Sequence, residues 1–220
     1  MPIRRLLATS LLFAAIASAH AAERPTPQQV TSFFRAVQMD DASTVRKMVG
    51  AVVNANELNP LGGEPSLVLA IREGAREVTA ELLRHPGTDL ERKAVNGNTA
   101  LMMAAFKRDE EVVRALLKNG AKVNQPGWTA LHYAAASGDD KIAQLLIENG
   151  AKLDAVSPRA SGAFTPLMLA AREGKDTTAR LLVARGANIK LTNTEGHTAA
   201  QIAKQAGRDD MARELAGSGR

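Results

Sequence analysis

Gly127-Trp128-Thr129-Ala130-Leu131-His132-Tyr133-Ala134-Ala135-Ala136-Ser137-Gly138-Asp139-Asp140-Lys141-Ile142-Ala143-Gln144-Leu145-Leu146-Ile147-Glu148-Asn149-Gly150-Ala151 is the stretch whose reading decides the fold. It holds two short helical segments divided by Gly138. Leu131 and the paired alanines lie on one side of the first, and alanine lets a neighbour approach closely. Leu145 and Leu146 of the second segment face the same layer. Thr129 stands where its hydroxyl can cap the orphan amides of the first helix. With Leu131 as the ruler, equivalent positions fall at Phe33, Leu67, Leu101, Leu167 and Ala200, in steps of 34, 34, 30, 36 and 33 residues. One such unit cannot bury its apolar face alone, so neighbours must cover it.

The stretch matches G-x-T-[PA]-L-H-x-A-A, a gap, a glycine, a second helix ending in L-L, and G-A. In this it resembles an ankyrin repeat, a unit of about 33 residues built from a turn and two helices. Thr99-Ala100-Leu101-Met102-Met103-Ala104-Ala105, Thr165-Pro166-Leu167-Met168-Leu169-Ala170-Ala171 and Thr198-Ala199-Ala200-Gln201-Ile202-Ala203 carry the same box. The resemblance implies an all-α solenoid of about six helix-turn-helix repeats with β-hairpin connections. It also implies that the hairpins project as fingers, and that fingers and first helices form a concave surface for another protein.

The expected repeats lie near 28–60, 61–94, 95–124, 125–156, 157–193 and 194–216, within a repeat domain at 28–216. The first copy has helix patterns but no G-x-T box. Its Gln38, Asp40, Arg46 and Lys47 can face water, as a terminal cap requires. Arg108 replaces the glycine between the helices of the third copy, at a position that normally wants a left-handed backbone. A local cost of about 1 kcal/mol or an altered turn is expected there. The connection Val123-Asn124-Gln125-Pro126-Gly127 is about three residues short, and the one from Asp154 to Ala163 is three too long. Insertions in repeat proteins collect on one face, often the binding face.

The N-terminus has the features of an export signal. Arg4 and Arg5 precede the uncharged apolar run Leu6 to Ala17, and small-x-small sites follow at Ala17-Ser18-Ala19 and Ala19-His20-Ala21. The run is shorter than the ~20 apolar residues of a membrane span. Residues 1–21 are therefore expected to be a cleavable signal peptide, residues 22–27 a flexible start and residues 217–220 a flexible tail. A bacterial, periplasmic location follows, with no stable membrane insertion once the signal is removed. Formal net charge is +5, and removing Arg4 and Arg5 leaves 26 basic against 23 acidic side chains. These charges alternate along the chain, which describes a solvated surface and not a nucleic-acid patch. Cysteine is absent, which excludes a disulfide framework, a thiolate nucleophile and Cys-ligated zinc.

Chemistry is not legible. H-E-x-x-H, G-x-S-x-G, G-x-x-x-x-G-K-[ST] and G-x-G-x-x-G are all missing. His132 holds the family's structural histidine position, His85 sits at a helix end beside Pro86, and His197 occupies a variable finger position. Asp109-Glu110-Glu111 and Asp139-Asp140 begin second helices, where negative charge suits the helix dipole. No catalytic residue, cofactor or metal ligand is expected, and the chain is read as a non-enzyme and a monomer.

In ankyrin proteins partners meet the x of G-x-T and the two residues after A-A. Carried onto this chain, the resemblance points to Asn98, Trp128, Phe164 and His197 in the fingers. On the first helices it points to Phe106, Lys107, Ser137, Arg172 and Glu173, with Tyr133 lining the groove. Exposed aromatics rimmed by charge resemble a recognition hot spot. The alternative is that Trp128 and Phe164 fold back onto their own repeats and shield the hairpins; the irregular fingers that border them favour binding. The expected role is to bind a partner protein, such as an exported enzyme or a toxin, and to modulate or protect against it. A structural adaptor of envelope components is the alternative, and an enzyme comes last because no reactive set converges.

Overall fold

The structure, a computed structural model, describes residues 24–217. The expected signal peptide, the first residues of the expected flexible start and the tail beyond Gly217 lie outside the described residues.

Twelve helices among the described residues form six helix-turn-helix pairs. They are α1 (Pro27–Gln38) with α2 (Ala42–Met48), α3 (Ser66–Glu73) with α4 (Arg76–Arg84), and α5 (Ala100–Phe106) with α6 (Glu110–Lys118). α7 (Ala130–Ser137) with α8 (Asp140–Glu148), α9 (Pro166–Arg172) with α10 (Asp176–Ala184), and α11 (Ala199–Gln205) with α12 (Asp209–Gly217) complete the set. The helix α1 starts one residue ahead of the expected domain edge. Thr26 and Gln29 form a reciprocal capping box, and Pro27 fills the first helical position, where its missing N–H costs nothing.

First helices pack in a row, α1 on α3, α3 on α5, and so on to α11. Their Leu67, Leu101, Leu131 and Leu167 are at most 2% exposed, and so are Val78, Leu82, Leu116, Leu146 and Leu182 of the second helices. Full burial contributes about 1.5–3 kcal/mol per large aliphatic side chain. The buried residues join in one cluster running from Phe33 to Leu215. This is an all-α repeat solenoid. Convex-side ion pairs bridge successive second helices, Arg46 to Glu81 at 2.7 Å and Arg76 to Glu111 at 2.6 Å. Their arginines are exposed to water, and such pairs add little.

Threonine capping holds at Thr99, Thr165 and Thr198, whose hydroxyls accept from the amides of Met102, Met168 and Gln201. Thr129 departs from this, because its hydroxyl lies 2.9 Å from the His132 ring. Asp109 and Asp139 are N-caps of α6 and α8, each accepting an amide hydrogen bond at 3.1 Å.

Four of the five joints between repeats pair the turn residue of one with the second-helix entry of the next. Arg108 adopts the left-handed conformation its position demands, with φ 58°, and its guanidinium meets Asp139 at 3.2 Å. Lys175 and Arg208 enter α10 and α12 without a capping side chain's chemistry, and they lie over Gly138 and Gly174, where a Cβ would collide with them. Ala75 cannot cap α4 at all. Asp40, expected to face water, does it instead from the preceding repeat. Its carboxylate accepts the Val78 amide at 2.8 Å and the Glu77 amide at 3.4 Å.

The connections are hairpin-like fingers closed by single backbone bonds and not by strands long enough to form a ladder. Closing bonds run from Asn59 to Glu64, Ala94 to Asn98, Ser157 to Phe164 and Asn193 to His197. At the finger bases a side-chain oxygen accepts an amide of the next repeat. Asn56 receives Asp89, Glu91 receives Lys122, Asn124 receives Lys152 and Asp154 receives Asn188.

Removing the borrowed cap gives a direct test. Asp40→Ala should lower the unfolding free energy by about 1 kcal/mol, read as a lower urea midpoint, while Asp40→Asn keeps most of it. Equal midpoints for Asp40→Ala and the parent would show that α4 needs no cap from its neighbour.

Candidate protein-binding surface

The site starts from a buried imidazole. His132 is fully buried in α7. Its Nδ1 accepts the Thr129 amide at 3.1 Å, so this nitrogen carries no proton. The proton therefore sits on Nε2, which donates to the Phe164 carbonyl at 3.0 Å, in the next repeat. Burial, opposed in part by that bond and by the Ala155 backbone, lowers the ring's pKa to about 4. The structure shows that the same ring also fastens the lengthened finger of the following repeat.

Above His132 lies Trp128, edge to face with ring centroids 5.2 Å apart. Trp128 also meets Tyr133 at 6.2 Å, and Tyr133 meets Phe106 edge to face at 6.0 Å. Such pairs contribute about 0.5–1.5 kcal/mol beyond area burial. Tyr133 is held at its other end by its hydroxyl, which donates to Asn98 Oδ1 at 2.7 Å. Burial pushes this hydroxyl's pKa up. Asn98, Phe106, Trp128 and Tyr133 thus form one connected group drawn from two repeats.

A second group lies on the next repeat. The Arg172 guanidinium sits over the Phe164 ring, 4.9 Å from its centroid, and pairs with Glu173 at 2.9 Å. Phe164 is half-buried against the core. Beyond it opens a cleft of about 300 Å³ walled by Phe164, Arg172, Glu195, Ile202 and Gln205. His197 stands beside this cleft, its Nδ1 3.2 Å from Glu195 and its Nε2 3.2 Å from Gln205. Gln205 was not among the expected binding residues. It holds the register of Phe106 and Arg172, five positions after the ruler residue, and that register would have found it.

Two expected residues stand apart from these groups. Lys107 follows Phe106, is exposed, and forms no ion pair among the described residues. Ser137 turns its hydroxyl back onto the Ala134 carbonyl at 3.1 Å. Trp128 and Phe164 do rest on their own repeats, yet both keep part of their surface open. Phe106, 59% exposed, is the most open ring of the set.

The family model described as ankyrin repeats (3 copies) fits residues 33–126, 67–157 and 157–220. This chain belongs to the ankyrin-repeat family. No curated protein matches it significantly. Ankyrin repeats mark a protein–protein interaction module, and the family is typically non-enzymatic. Among the described residues of this ankyrin stack, no group of three or more His, Cys, Asp or Glu side chains is placed to hold a metal ion. No helix among them is long and apolar enough to cross a membrane.

The His132 ring links the stack's stability to pH. The unfolded chain binds a proton near pH 6.5, whereas the folded ring resists it until about pH 4. Stability is therefore complete above pH 6.5 and falls as the pH drops toward 4. The loss should be about 2 kcal/mol at pH 5 relative to pH 7. Urea midpoints measured across that window should fall in the parent and fall less in His132→Gln. A parent midpoint that does not change from pH 7 to pH 5 would refute the assignment.

Proposed function

We propose that this chain is a non-enzymatic binding module of the bacterial periplasm. It grips one partner protein through the face formed by its fingers and first helices, and so modulates that partner or protects against it. An exported enzyme or a toxin fits this role. One observation carries the reading. The chain has one Trp, one Tyr and five Phe. Phe13 falls in the expected signal, and Phe33 and Phe34 are buried in the first repeat. Every remaining aromatic, Phe106, Trp128, Tyr133 and Phe164, belongs to the two connected groups on this one face. Aromatic side chains bring large contact area at little entropic cost, and partly open clusters of them on a rigid scaffold are where binding energy concentrates. The periplasmic assignment is supported by the charged, apolar and small-residue segments of the first 21 residues.

A photo-crosslinking amino acid at position 128 or 164 should capture a defined protein in the periplasm of the producing cell. The same group at position 144, exposed on α8, should not. Capture from 144 alone would rule out this face.

Localisation is checked separately. Residues 1–30 fused to a reporter enzyme that works only after export should give an active reporter. An inactive fusion retained in the cytoplasm would sink the periplasmic assignment.

A further inference from the structure

The third position of the six first helices holds Gln29, Val68, Met102, His132, Met168 and Gln201 in turn. Of these side chains, His132 is the one that can take up a proton. In the fifth repeat the Thr165 amide meets Met168 Sδ at 3.4 Å, and in the sixth the Thr198 amide donates to Gln201 Oε1 at 2.8 Å. Both do with an uncharged side chain what Nδ1 of His132 does for the Thr129 amide. The turn itself therefore does not need histidine. Two things set His132 apart. It reaches the Phe164 carbonyl, and it stands between the group of Asn98, Phe106, Trp128 and Tyr133 and the group of Phe164 and Arg172.

The two groups are anchored differently. The fifth finger is tied forward to the sixth repeat, where the Thr194 amide donates to the Gly162 carbonyl at 3.0 Å and the Asn188 amide to Asp154 at 2.9 Å. The amide and carbonyl of Phe164 both close on Ser157 within that finger. The fourth finger, unlike the second, third, fifth and sixth, has no backbone bond across its base among the described residues. Its last turn is held by contacts instead. Gly127 lies against Pro158, Trp128 rests on the imidazole, and the Thr129 amide donates to Nδ1. His132 takes part in two of these three.

A proton on this ring finds no counter-charge. From Ala100 to Phe106, α5 carries no charged side chain; beyond it Lys107 is exposed and Arg108 pairs with Asp139. On α7 the other ionisable group is Tyr133, whose hydroxyl is turned to Asn98. The helix α8 carries Lys141, Asp140, which accepts from Thr178, and Glu148, which accepts from Gln144. Arg172 of α9 pairs with Glu173. The fourth and fifth fingers add Lys122, Lys152, Asp154 and Arg159. His132 instead meets Thr129 and the backbone of Phe164 and Ala155. With Nδ1 protonated, donor faces donor at the Thr129 amide. The Thr129 hydroxyl, 2.9 Å away, can turn to accept, but the amide is then orphaned. The cation is left buried and unpaired, so it must leave its seat to reach water. Leaving breaks the Thr129 bond, the Phe164 bond and the Trp128 contact together.

We infer that His132 is an acid-released pin between the two halves of the binding face. Neutral, it holds the Trp128 group in register with the Phe164 group. Protonated, it swings out and frees the turn from Gly127 to Thr129, while the leucine layers of the flanking repeats stay folded. The consequence, that acid releases a partner touching both groups, rests on the reading of this face as protein-binding.

The pin is tested without a partner, on the purified protein, by amide hydrogen exchange followed by NMR and corrected for the intrinsic effect of pH. The seated ring resists protonation until about pH 4 and the freed ring takes a proton near pH 6.5, so the opening constant rises about twentyfold from pH 7 to pH 5. Protection of the Thr129 amide should fall by that factor. The amides of Leu116 and Leu182, in the second helices on either side, should stay better protected at each pH. His132→Gln copies the sixth repeat's own arrangement and should give the Thr129 amide the same protection at pH 5 and pH 7. Emission of Trp128, the single tryptophan, should change in the parent with a midpoint near pH 4 while the far-ultraviolet helix signal holds, and should show no such step in His132→Gln.

Thr129 protection that is constant with pH in the parent overturns the pin, and so does an equal fall in His132→Gln. Protection of Thr129 equal to that of Leu116 and Leu182 at every pH overturns it too, because the opening is then unfolding of the whole stack. These results leave the protein-binding face standing. Failure of positions 128 and 164 to capture a protein removes that face and the consequence for a partner, and leaves the exchange result to decide the pin.

Discussion

A pair of helices seven to twelve residues long cannot cover its own apolar stripe. That constraint governs the rest of this molecule. Leu131 and Leu146 reach full burial only because the α5–α6 and α9–α10 pairs close over the α7–α8 pair on either side. The fold is therefore a chain of joints, and stability is a sum of repeats and the interfaces between them. Alanine is what makes the joints close. Ala104, Ala105, Ala134, Ala135, Ala170 and Ala171 are completely buried where first helices meet. A larger side chain at any of them would hold two repeats apart.

The joints are individually fitted. Where a repeat supplies its own helix cap, as at Asp109 and Asp139, the facing turn carries glycine or an arginine that pairs with the aspartate. Where it enters with Lys175 or Arg208, glycine opposite leaves room for the long side chain. Where it enters with Ala75, Asp40 reaches across to cap it. His132 belongs to the same class of device. It spends one nitrogen on its own turn and the other on the next finger, so the most irregular connection in the stack is fixed by a buried neutral ring. The indole of Trp128 rests on that ring, which is how the repeat that builds the joint also presents the open aromatic surface.

Much of this was legible in residues 127–151. The spacing of Leu67, Leu101, Leu131 and Leu167 fixed the period, and the Thr-box positions marked where first helices begin. The short fourth and long fifth connections were visible as departures from that period. Their consequence was not. Which fingers bond to each other depends on backbone groups meeting across neighbouring repeats, and a count of missing residues carries no such geometry. The candidate surface divides in the same way. Register selected Asn98, Phe106, Trp128, Phe164 and Arg172, but not that Tyr133 ties Asn98 to Phe106, nor that Gln205 and Ile202 wall a cleft beside Phe164. Asp40 was misjudged for a related reason. It reads as a polar residue of a terminal cap, and only the placement of the next repeat gives its carboxylate two amides to accept.

By itself the sequence determined the repeat, its number and the family. These are local facts, written in the 3.6-residue helical period and the recurrence of one motif. The tertiary structure decided the partnerships made between repeats. It set the borrowed helix cap, the imidazole that spans two fingers, and the four aromatic rings in two groups. The physical reason is range. Helix formation and capping are settled within a few residues, whereas each of these partnerships joins atoms about thirty residues apart whose meeting depends on how one repeat stacks on the next.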